Sequence, residues 1–273
     1  MNTRYIPGSE YEELLPGRDL EKRREYWDIA KGLQKTDNLI TSNYLESVIS
    51  DTTAGKFDTE KAVQKVSEYY KDLSADDPEK ASEEADKVAA RIVAFLERES
   101  FRFSPVQLKS IHKELFQDMK QYNPGRYRSY NISKNEEVLG GDSVRYGDYD
   151  DIEELLSYDF SEEERRRYSI PFSSSDIENL CRFTLKIWET HPFCEGNTRT
   201  VSTFMIKYLR SMGAEINNDP FKTNAKWFRD ALVRANYYNV DKGIDSDASF
   251  LQMFFENILI DAGHKLESID LHV

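Results

Sequence analysis

The sequence has little cysteine and no long apolar run. It contains 273 residues but only Cys181 and Cys194, which is too few for a disulfide framework and typical of a reducing compartment. No apolar stretch approaches the roughly 20 residues that cross a bilayer, and no signal peptide opens the chain. These absences predict a cytoplasmic protein with no membrane partner.

The sequence also has fewer basic than acidic residues. Lysine and arginine number 37 against 50 aspartates and glutamates, a net charge of −13. Nonspecific nucleic-acid binding needs a basic surface, so we expect no nucleic-acid partner. Hydrophobic residues make up 39% of the chain and aromatic residues 12%, which is enough for a folded core.

Helical spacing of apolar residues dominates the chain and predicts a mainly α-helical fold. A polar segment around 74–80 divides it into an N-terminal arm with a small helical bundle, residues 1–76, and a larger domain, residues 77–273. The predicted helices begin or run at 20–34, 42–49, 59–70, 83–97, 105–119, 151–158, 177–188, 201–212, 227–235 and 250–259.

Residues 124–149 break this helical pattern. Aromatic and β-branched residues favour extended structure there, and Gly140-Gly141-Asp142 interrupts them as a turn would. We therefore predict one short β-hairpin, which must lean on the helices to be stable. Its open edge could pair with an extended protein segment; the alternative is a packing excursion without function.

The stretch from His191 to Thr200, HPFCEGNTRT, lies between two predicted helices. Pro192 keeps the first helix from continuing. Ser175 and Glu178 are spaced as a capping box at the start of that helix. The stretch is therefore predicted to form a helix–loop–helix corner.

Reactive groups are concentrated in this corner. The unpaired N–H groups of 196–199 at a helix start favour an anion, and Asn197 and Arg199 add donors. Glu195 is an oxygen ligand of the kind Mg²⁺ prefers, and His191 titrates near neutrality and can accept a proton. The combination indicates transfer chemistry on a nucleotide. The alternative is that His191 merely ends one helix and Glu195 caps the next.

Six residues of the stretch closely resemble the signature H-x-F-x-[D/E]-G-N-x-R of the Fic (Fic/Doc) family. They are His191, Phe193, Glu195, Gly196, Asn197 and Arg199. Most members of that family transfer AMP from ATP to a Ser, Thr or Tyr hydroxyl of a target protein. The resemblance thus implies a Fic-like helical core that carries one hairpin, called the flap.

The resemblance also implies a role for each motif residue. His191 would be the base and Glu195 the Mg²⁺ ligand. Gly196 and Asn197 would form the anion hole, to which Thr198 adds an N–H, and Arg199 would hold the β-phosphate. Phe193 would anchor the loop in the core.

Two further segments are similar to parts of Fic proteins. Residues 128–134 with 143–146 resemble the flap, which implies target binding by four residues: Ile132, Lys134, Val138 and Leu139. Residues 32–56 are similar to the antitoxin-like prologue fused ahead of some Fic domains. His112, by contrast, lies near an apolar helix face and is interpreted as a structural histidine.

Two departures from the family pattern concern control of the site. Ser202 stands where many members carry a second arginine, and Lys31 stands where an inhibitory glutamate would pair with it. Glu46 is a candidate substitute, but it would have to engage Arg199 instead. We therefore expect that the N-terminal bundle does not shut the site by that salt bridge.

The sequence thus predicts a protein adenylyltransferase that uses ATP and Mg²⁺, with a hydroxyl-bearing protein, itself among the candidates, as substrate. Two alternatives stay open. One is a Doc-like kinase that transfers phosphate from the same site, and the other is a catalytically silent interaction module. A homo-oligomer is compatible with all three functions.

Overall fold

The structure is a computed structural model that describes residues 3–4, 13–14 and 20–273. Those ranges are mainly α-helical, as predicted, and contain two short antiparallel strands, β1 (Thr3–Arg4) and β2 (Glu13–Leu14). The predicted N-terminal arm falls largely outside the described residues. The helices are α1 (Leu20–Gln34), α2 (Asn43–Thr53), α3 (Thr59–Asp72), α4 (Glu83–Glu97), α5 (Pro105–Leu115), α6 (Ile152–Glu164), α7 (Ser174–Thr190), α8 (Asn197–Ser211), α9 (Asp219–Asn236) and α10 (Ser249–Ile260).

Side-chain caps start several of these helices where the sequence places them. Ser42 accepts a hydrogen bond from the Leu45 N–H at 3.1 Å to begin α2, and Asp58 likewise accepts from Lys61 at 2.7 Å to begin α3. The capping box of α7, however, is made by Ser173 and Asp176. The prediction of Ser175 was wrong because Ser173 has the extended backbone that a cap requires, whereas Ser175 is already helical.

Several helix boundaries also differ from the prediction, those of α6 and α9 most. Helix α6 continues to Glu164, six residues beyond the predicted end at Tyr158. Helix α9 begins at Asp219 and not at 227, with Pro220 in its first turn, because proline is tolerated where the helix has no N–H partner to lose. No helix in the described ranges is long and apolar enough to span a membrane.

The N-terminal helices share one hydrophobic core with the rest of the described chain. Helix α1 packs against α4 and α9, and it buries Trp27 and Leu33 almost completely. Arg23, also buried, pairs with Glu97 at 2.5 Å and donates to the Thr52 carbonyl at 2.9 Å. This contact joins α1, α2 and α4 at one point.

Helix α8 lies at the centre of the fold. Every residue from Asn197 to Leu209 is buried, and the helix packs on α5 and α7 and contacts α1 and α4. The motif loop, residues 191–196, is therefore held between α7 and the most buried helix, and its first helical turn meets elements from both ends of the chain.

Residues 128–147 form a loop without a strand, which corrects the predicted β-hairpin; we call it the flap loop. Two backbone hydrogen bonds cross it, from the Glu136 N–H to the Asp142 carbonyl and from the Gly141 N–H to the Glu136 carbonyl, both at 2.9 Å. A 3₁₀ turn occupies Glu137–Leu139. Val138 and Leu139, which are adjacent, both face the core, so the side chains do not alternate as a strand requires.

Helix α9 and the loop after it hold the flap loop in place. The Glu136 carboxylate pairs with Arg229 of α9, with both N–O distances at 2.8 Å. Asp142 accepts from the Tyr237 hydroxyl at 2.5 Å and pairs with Lys242 at 2.7 Å. The flap loop is thus fixed by ion pairs rather than by sheet pairing.

The packing of α1 on α9 predicts a stability effect at Gly32. Alanine normally favours a helix interior over glycine, but a Cβ at Gly32 would lie 2.2 Å from the Phe221 carbonyl oxygen. We expect Gly32→Ala to lower the free energy of unfolding by about 1–3 kcal/mol, measured by urea denaturation. Arg24→Ala on the exposed face of α1 is the control, and an equal or higher stability of Gly32→Ala would contradict this packing.

Candidate functional site

The motif loop is shaped by two residues with left-handed backbone. His191 ends α7 with φ 47° and ψ 58°, and Gly196 precedes α8 with φ 73°. A Cβ on Gly196 would lie 2.3 Å from the Phe116 ring. Glycine is therefore required at 196 both by the backbone conformation and by the close approach of Phe116.

Phe193 anchors the loop in the core, as the resemblance implies. Its side chain is fully buried and stacks on the His112 ring, with 3.8 Å between ring centroids and an interplanar angle of 3°. Tyr127, just before the flap loop, packs against the Phe193 ring, with 5.7 Å between centroids.

His112 is buried and holds the motif loop through both ring nitrogens. The Gly125 N–H donates to Nδ1 at 2.9 Å, so the other nitrogen, Nε2, carries the proton and donates to the Glu195 carbonyl at 3.1 Å. Burial lowers the pKa of His112 to about 4. The structural interpretation of His112 fits this burial, but its contacts place it directly beneath the motif.

Asn197 braces the loop with its side chain. The amide oxygen accepts from the Phe193 N–H, and the amide nitrogen donates to the Phe193 carbonyl, both at 2.9 Å. Both ends of the amide are therefore used inside the protein. Thr198 is engaged similarly, since its hydroxyl accepts from the Trp188 indole at 3.0 Å.

The backbone N–H groups in the first turn of α8 stay available as hydrogen-bond donors. Helical hydrogen bonding begins at Thr200, whose N–H donates to the Gly196 carbonyl at 3.0 Å. The N–H groups of Asn197, Thr198 and Arg199 thus have no partner within the helix. Any contribution of Asn197 and Thr198 to an anion hole comes from the backbone.

His191 is held as a neutral base. Its Nδ1 lies 3.1 Å from the Trp188 carbonyl oxygen, which can only accept, so Nδ1 carries the proton and Nε2 has the free lone pair. Burial, followed by the charges of Arg229, Arg128 and Lys134, lowers the pKa of His191 to about 3. The ring packs against Tyr146, with 4.0 Å between centroids.

Arg128 connects the flap loop to the motif loop. Its backbone N–H donates to the Pro192 carbonyl at 2.9 Å, and its guanidinium donates to the carbonyls of His191 at 2.8 Å and Thr190 at 3.2 Å. It also donates to the Gly147 carbonyl. Both ends of the flap loop are therefore tied to the turn that carries His191.

A polar cleft of about 320 Å³ lies beside the motif loop and is walled by the motif, the flap loop, α9 and the segment after α1. The walls carry six acidic and four basic side chains: Asp37, Glu84, Glu136, Glu137, Glu195 and Asp230, with Lys134, Arg199, Lys226 and Arg229. His191 is not in these walls, but the charges of Lys134 and Arg229 reach it.

Arg199 is buried, at 1% exposure, and is surrounded by acceptors. Its Nε lies 2.8 Å from Asp37, and its two Nη atoms lie 2.8 Å from Glu84 and 3.2 Å from the Gln34 amide oxygen. Burial works against the charge, but the carboxylates of Asp37 and Glu84 hold the pKa of Arg199 above its usual value. The Phe116 ring covers the guanidinium at 4.9 Å.

The N-terminal bundle therefore does contact the motif arginine, through Asp37. Glu46 is not the contact, because it pairs with Lys31 on the surface. Ser202, at the position of the absent second arginine, is fully buried and its hydroxyl has no partner among the described residues. The prediction that the bundle does not shut the site through Glu46 is therefore not contradicted; the bundle reaches Arg199 through a different residue, Asp37.

Glu195 is exposed at the cleft, and its carboxylate accepts no hydrogen bond from the described residues. Desolvation raises its pKa, and the positive charge of Lys134 opposes this shift. No group of three His, Cys, Asp or Glu side chains in the described part of the chain is arranged to hold a metal ion by itself. A single free carboxylate fits Mg²⁺ that takes its other ligands from water and phosphate oxygens.

The four predicted flap residues divide into two pairs. Lys134 is exposed and lines the cleft, and Ile132 is half-buried. Val138 and Leu139 are buried, at 2% and 1% exposure, because they fill the core beneath the loop. The side chains of Val138 and Leu139 are therefore not accessible to a target, whereas target binding by the flap loop as a whole stays a prediction.

Sequence reasoning missed several residues of the site. Asp37, Glu84 and Arg229 reach the cleft from segments far apart in the chain, and Arg128 acts on backbone carbonyls. Only Arg229 gave a signal, as a charge within the apolar run of α9, beside Trp227 and Phe228.

Comparisons with known proteins agree on the kind of domain. The model of the Fic/DOC family matches residues 102–209, which run from just before α5 to near the end of α8. A search of curated proteins found no match.

One solved structure supports the same fold, and a second is reported beside it. A Fic family protein from Desulfovibrio desulfuricans G20 aligns with a TM-score of 0.55 at 17% identity, over 93% of this chain and 68% of that one. A Fic-domain-containing signaling protein from Bacteroides thetaiotaomicron VPI-5482 aligns with a TM-score of 0.49 at 14% identity, over 89% of this chain and 85% of that one.

The neutral, buried His112 predicts a pH dependence of stability. Its folded pKa of about 4 lies below the ordinary value of 6.5, so the unfolded chain binds the extra proton and stability is lost as the pH falls from about 6.5 toward 4. In His112→Gln this loss should be shallower, by up to about 1.4 kcal/mol per pH unit. Urea unfolding at several pH values measures it, with His272→Gln, an exposed position, as control; parallel slopes in His112→Gln and wild type would contradict the assignment.

Proposed function

We propose that this chain, whose residues 102–209 match the model of the Fic/DOC family, is a protein adenylyltransferase. It would move AMP from ATP to the hydroxyl of a Ser, Thr or Tyr side chain in a target protein: the hydroxyl oxygen attacks the α-phosphorus, and pyrophosphate leaves. The observation that carries the proposal is the state of His191, a neutral imidazole with a free Nε2 beside a helix N-terminus and a polar cleft.

Each residue has a role that its surroundings support. His191 Nε2 accepts the proton of the attacking hydroxyl, and its lowered pKa keeps it unprotonated at neutral pH. The N–H groups at the start of α8 and the Arg199 guanidinium stabilise negative charge on the phosphates. Glu195 would hold Mg²⁺, which when bound offsets the charge of the phosphate oxygens.

The acidic walls of the cleft mean that nucleotide binding requires an exchange of partners. Arg199 cannot hold a β-phosphate while Asp37 and Glu84 both occupy its guanidinium. We propose that the phosphate displaces Asp37, which is half-buried at the cleft edge, while Glu84 stays on α4. The N-terminal bundle then competes with ATP for one motif side chain.

Mass spectrometry of the purified protein with Mg²⁺ and ATP tests the proposal. A gain of one AMP per modified hydroxyl, on the protein itself or on an added protein from its source, is the expected result. A gain of phosphate would replace the proposal with a Doc-like kinase, and no mass change on any protein would favour an interaction module.

The role of His191 predicts a specific loss of catalysis. His191→Ala should lower the rate of AMP transfer by at least about 10²–10⁴-fold, the usual cost of losing a general base. ATP affinity should stay nearly unchanged, because His191 lies outside the cleft wall. Transfer is measured with radiolabelled ATP, and His272→Ala serves as the control; a wild-type rate in His191→Ala would exclude the base role.

The role of Glu195 predicts a loss of metal dependence. Glu195→Gln keeps the side-chain volume and exposure but removes the anionic oxygen that Mg²⁺ prefers. We expect Mg²⁺ to strengthen ATP binding in wild type and to have little effect in the variant, as measured by calorimetric titration with and without Mg²⁺. Glu137→Gln, at another carboxylate of the same cleft, is the matched control. An equal Mg²⁺ effect in Glu195→Gln and wild type would show that another group holds the ion.

A further inference from the structure

We infer that Arg229 of α9 is a second phosphate-binding arginine of the cleft, released to the nucleotide when it leaves Glu136. The inference rests on the proposed function, since it names a further residue for the same nucleotide. Arg229 lies outside residues 102–209, the part of the chain that the family model matches.

Arg229 and Arg199 are placed alike. Both guanidiniums line the same cleft, and both side chains are buried, at 8% and 1% exposure. Each guanidinium lies 2.8 Å from two carboxylate oxygens. Those around Arg199 belong to Asp37 and Glu84, and those around Arg229 are both oxygens of Glu136. A carboxylate held in this forked geometry presents its oxygens to a guanidinium as a phosphate does.

The two arginines also belong to one electrostatic site. The charge of Asp37, which pairs with Arg199, acts on Arg229 as well, and that of Arg229 acts on His191. Because both guanidiniums line one cleft, a phosphate chain entering it would meet both.

Helix α8 supplies no second cation to the cleft. Ser202, one turn after Arg199, is fully buried and is not in the cleft wall. The other two cations of the cleft wall, Lys134 and Lys226, are lysines, which lack the planar fork that matches a phosphate. Arg229 is therefore the second guanidinium that the cleft wall offers to a polyphosphate.

Glu136 can give up Arg229 without losing every partner. The Tyr146 hydroxyl lies 3.5 Å from its Oε1, and the backbone N–H of Glu136 remains bonded to Asp142 across the flap loop. Exchange of Glu136 for a phosphate therefore leaves the flap loop attached at Asp142 and at Arg128.

Two variants of the Arg229–Glu136 pair distinguish a phosphate-binding arginine from one that only anchors the flap loop. If Arg229 binds phosphate, the two variants should change the affinity for Mg²⁺–ATP in opposite directions. Arg229→Gln removes the cation, and Glu136→Gln removes its internal competitor while keeping a hydrogen-bonding side chain of the same size. Calorimetric titration with Mg²⁺–ATP should show affinity about 10–100-fold weaker in Arg229→Gln, the cost of a lost hydrogen bond to a charged group. Glu136→Gln should bind several-fold more tightly, and Arg229→Lys should fall between Arg229→Gln and wild type.

Lys222→Gln, which removes a positive charge from α9 outside the cleft, controls for net charge and should bind as wild type does. Weaker binding in both Arg229→Gln and Glu136→Gln would make the pair only a flap anchor and overturn the inference, as would unchanged binding in Arg229→Gln. If Arg229→Gln does not fold, as judged by thermal unfolding, Arg229→Lys and Glu136→Gln decide by the same signs. Absence of ATP binding in wild type would instead overturn the proposed function and this inference together.

Discussion

The ion pairs of Arg199 are the interaction on which the arrangement of the site depends. A guanidinium this deeply buried would cost several kcal/mol without compensating charge, so the start of α8 requires carboxylates from elsewhere. Asp37 comes from the segment after α1 and Glu84 from α4. The same contacts that satisfy the motif arginine therefore attach the N-terminal helices to α8 at the centre of the fold.

The motif divides into residues that shape the loop and residues that are left to react. The Phe193 side chain packs in the core, and the Asn197 side chain forms hydrogen bonds within the loop. His191 and Glu195 keep a free nitrogen and free oxygens. The same short stretch therefore contains both the residues that hold the loop in place and the residues whose polar atoms stay unpaired.

His112 and His191 show how hydrogen bonds to the backbone determine which ring nitrogen of a histidine carries the proton. His112 accepts an N–H at Nδ1 and is protonated at Nε2, whereas His191 faces a carbonyl with Nδ1 and keeps Nε2 free. Both are neutral at pH 7 because burial depresses their pKa values. Only His191 of the two has a ring nitrogen without a hydrogen-bond partner among the described residues, and this difference is why we propose His191, and not His112, as the base.

The sequence predicted what depends on neighbouring residues and failed where distant segments meet. Helix α1 was predicted with its observed bounds, and the motif was recognisable because its reactive residues are contiguous. The β-hairpin was wrong because Val138 and Leu139 both turn into the core, which no local pattern reveals. The contacts of Asp37 and Arg229 depend on how α1 and α9 pack around α8, so they required the structure.

The most direct test of the account is the affinity for Mg²⁺–ATP of Asp37→Asn. Asparagine keeps the size and hydrogen bonding of Asp37 but removes the charge that competes with phosphate for Arg199. The account predicts tighter binding than in wild type, with Asp51→Asn, a surface site in the same bundle that pairs with Lys56, unchanged. Equal or weaker binding in a folded Asp37→Asn protein would show that the nucleotide does not exchange with Asp37 at Arg199, and would contradict the account.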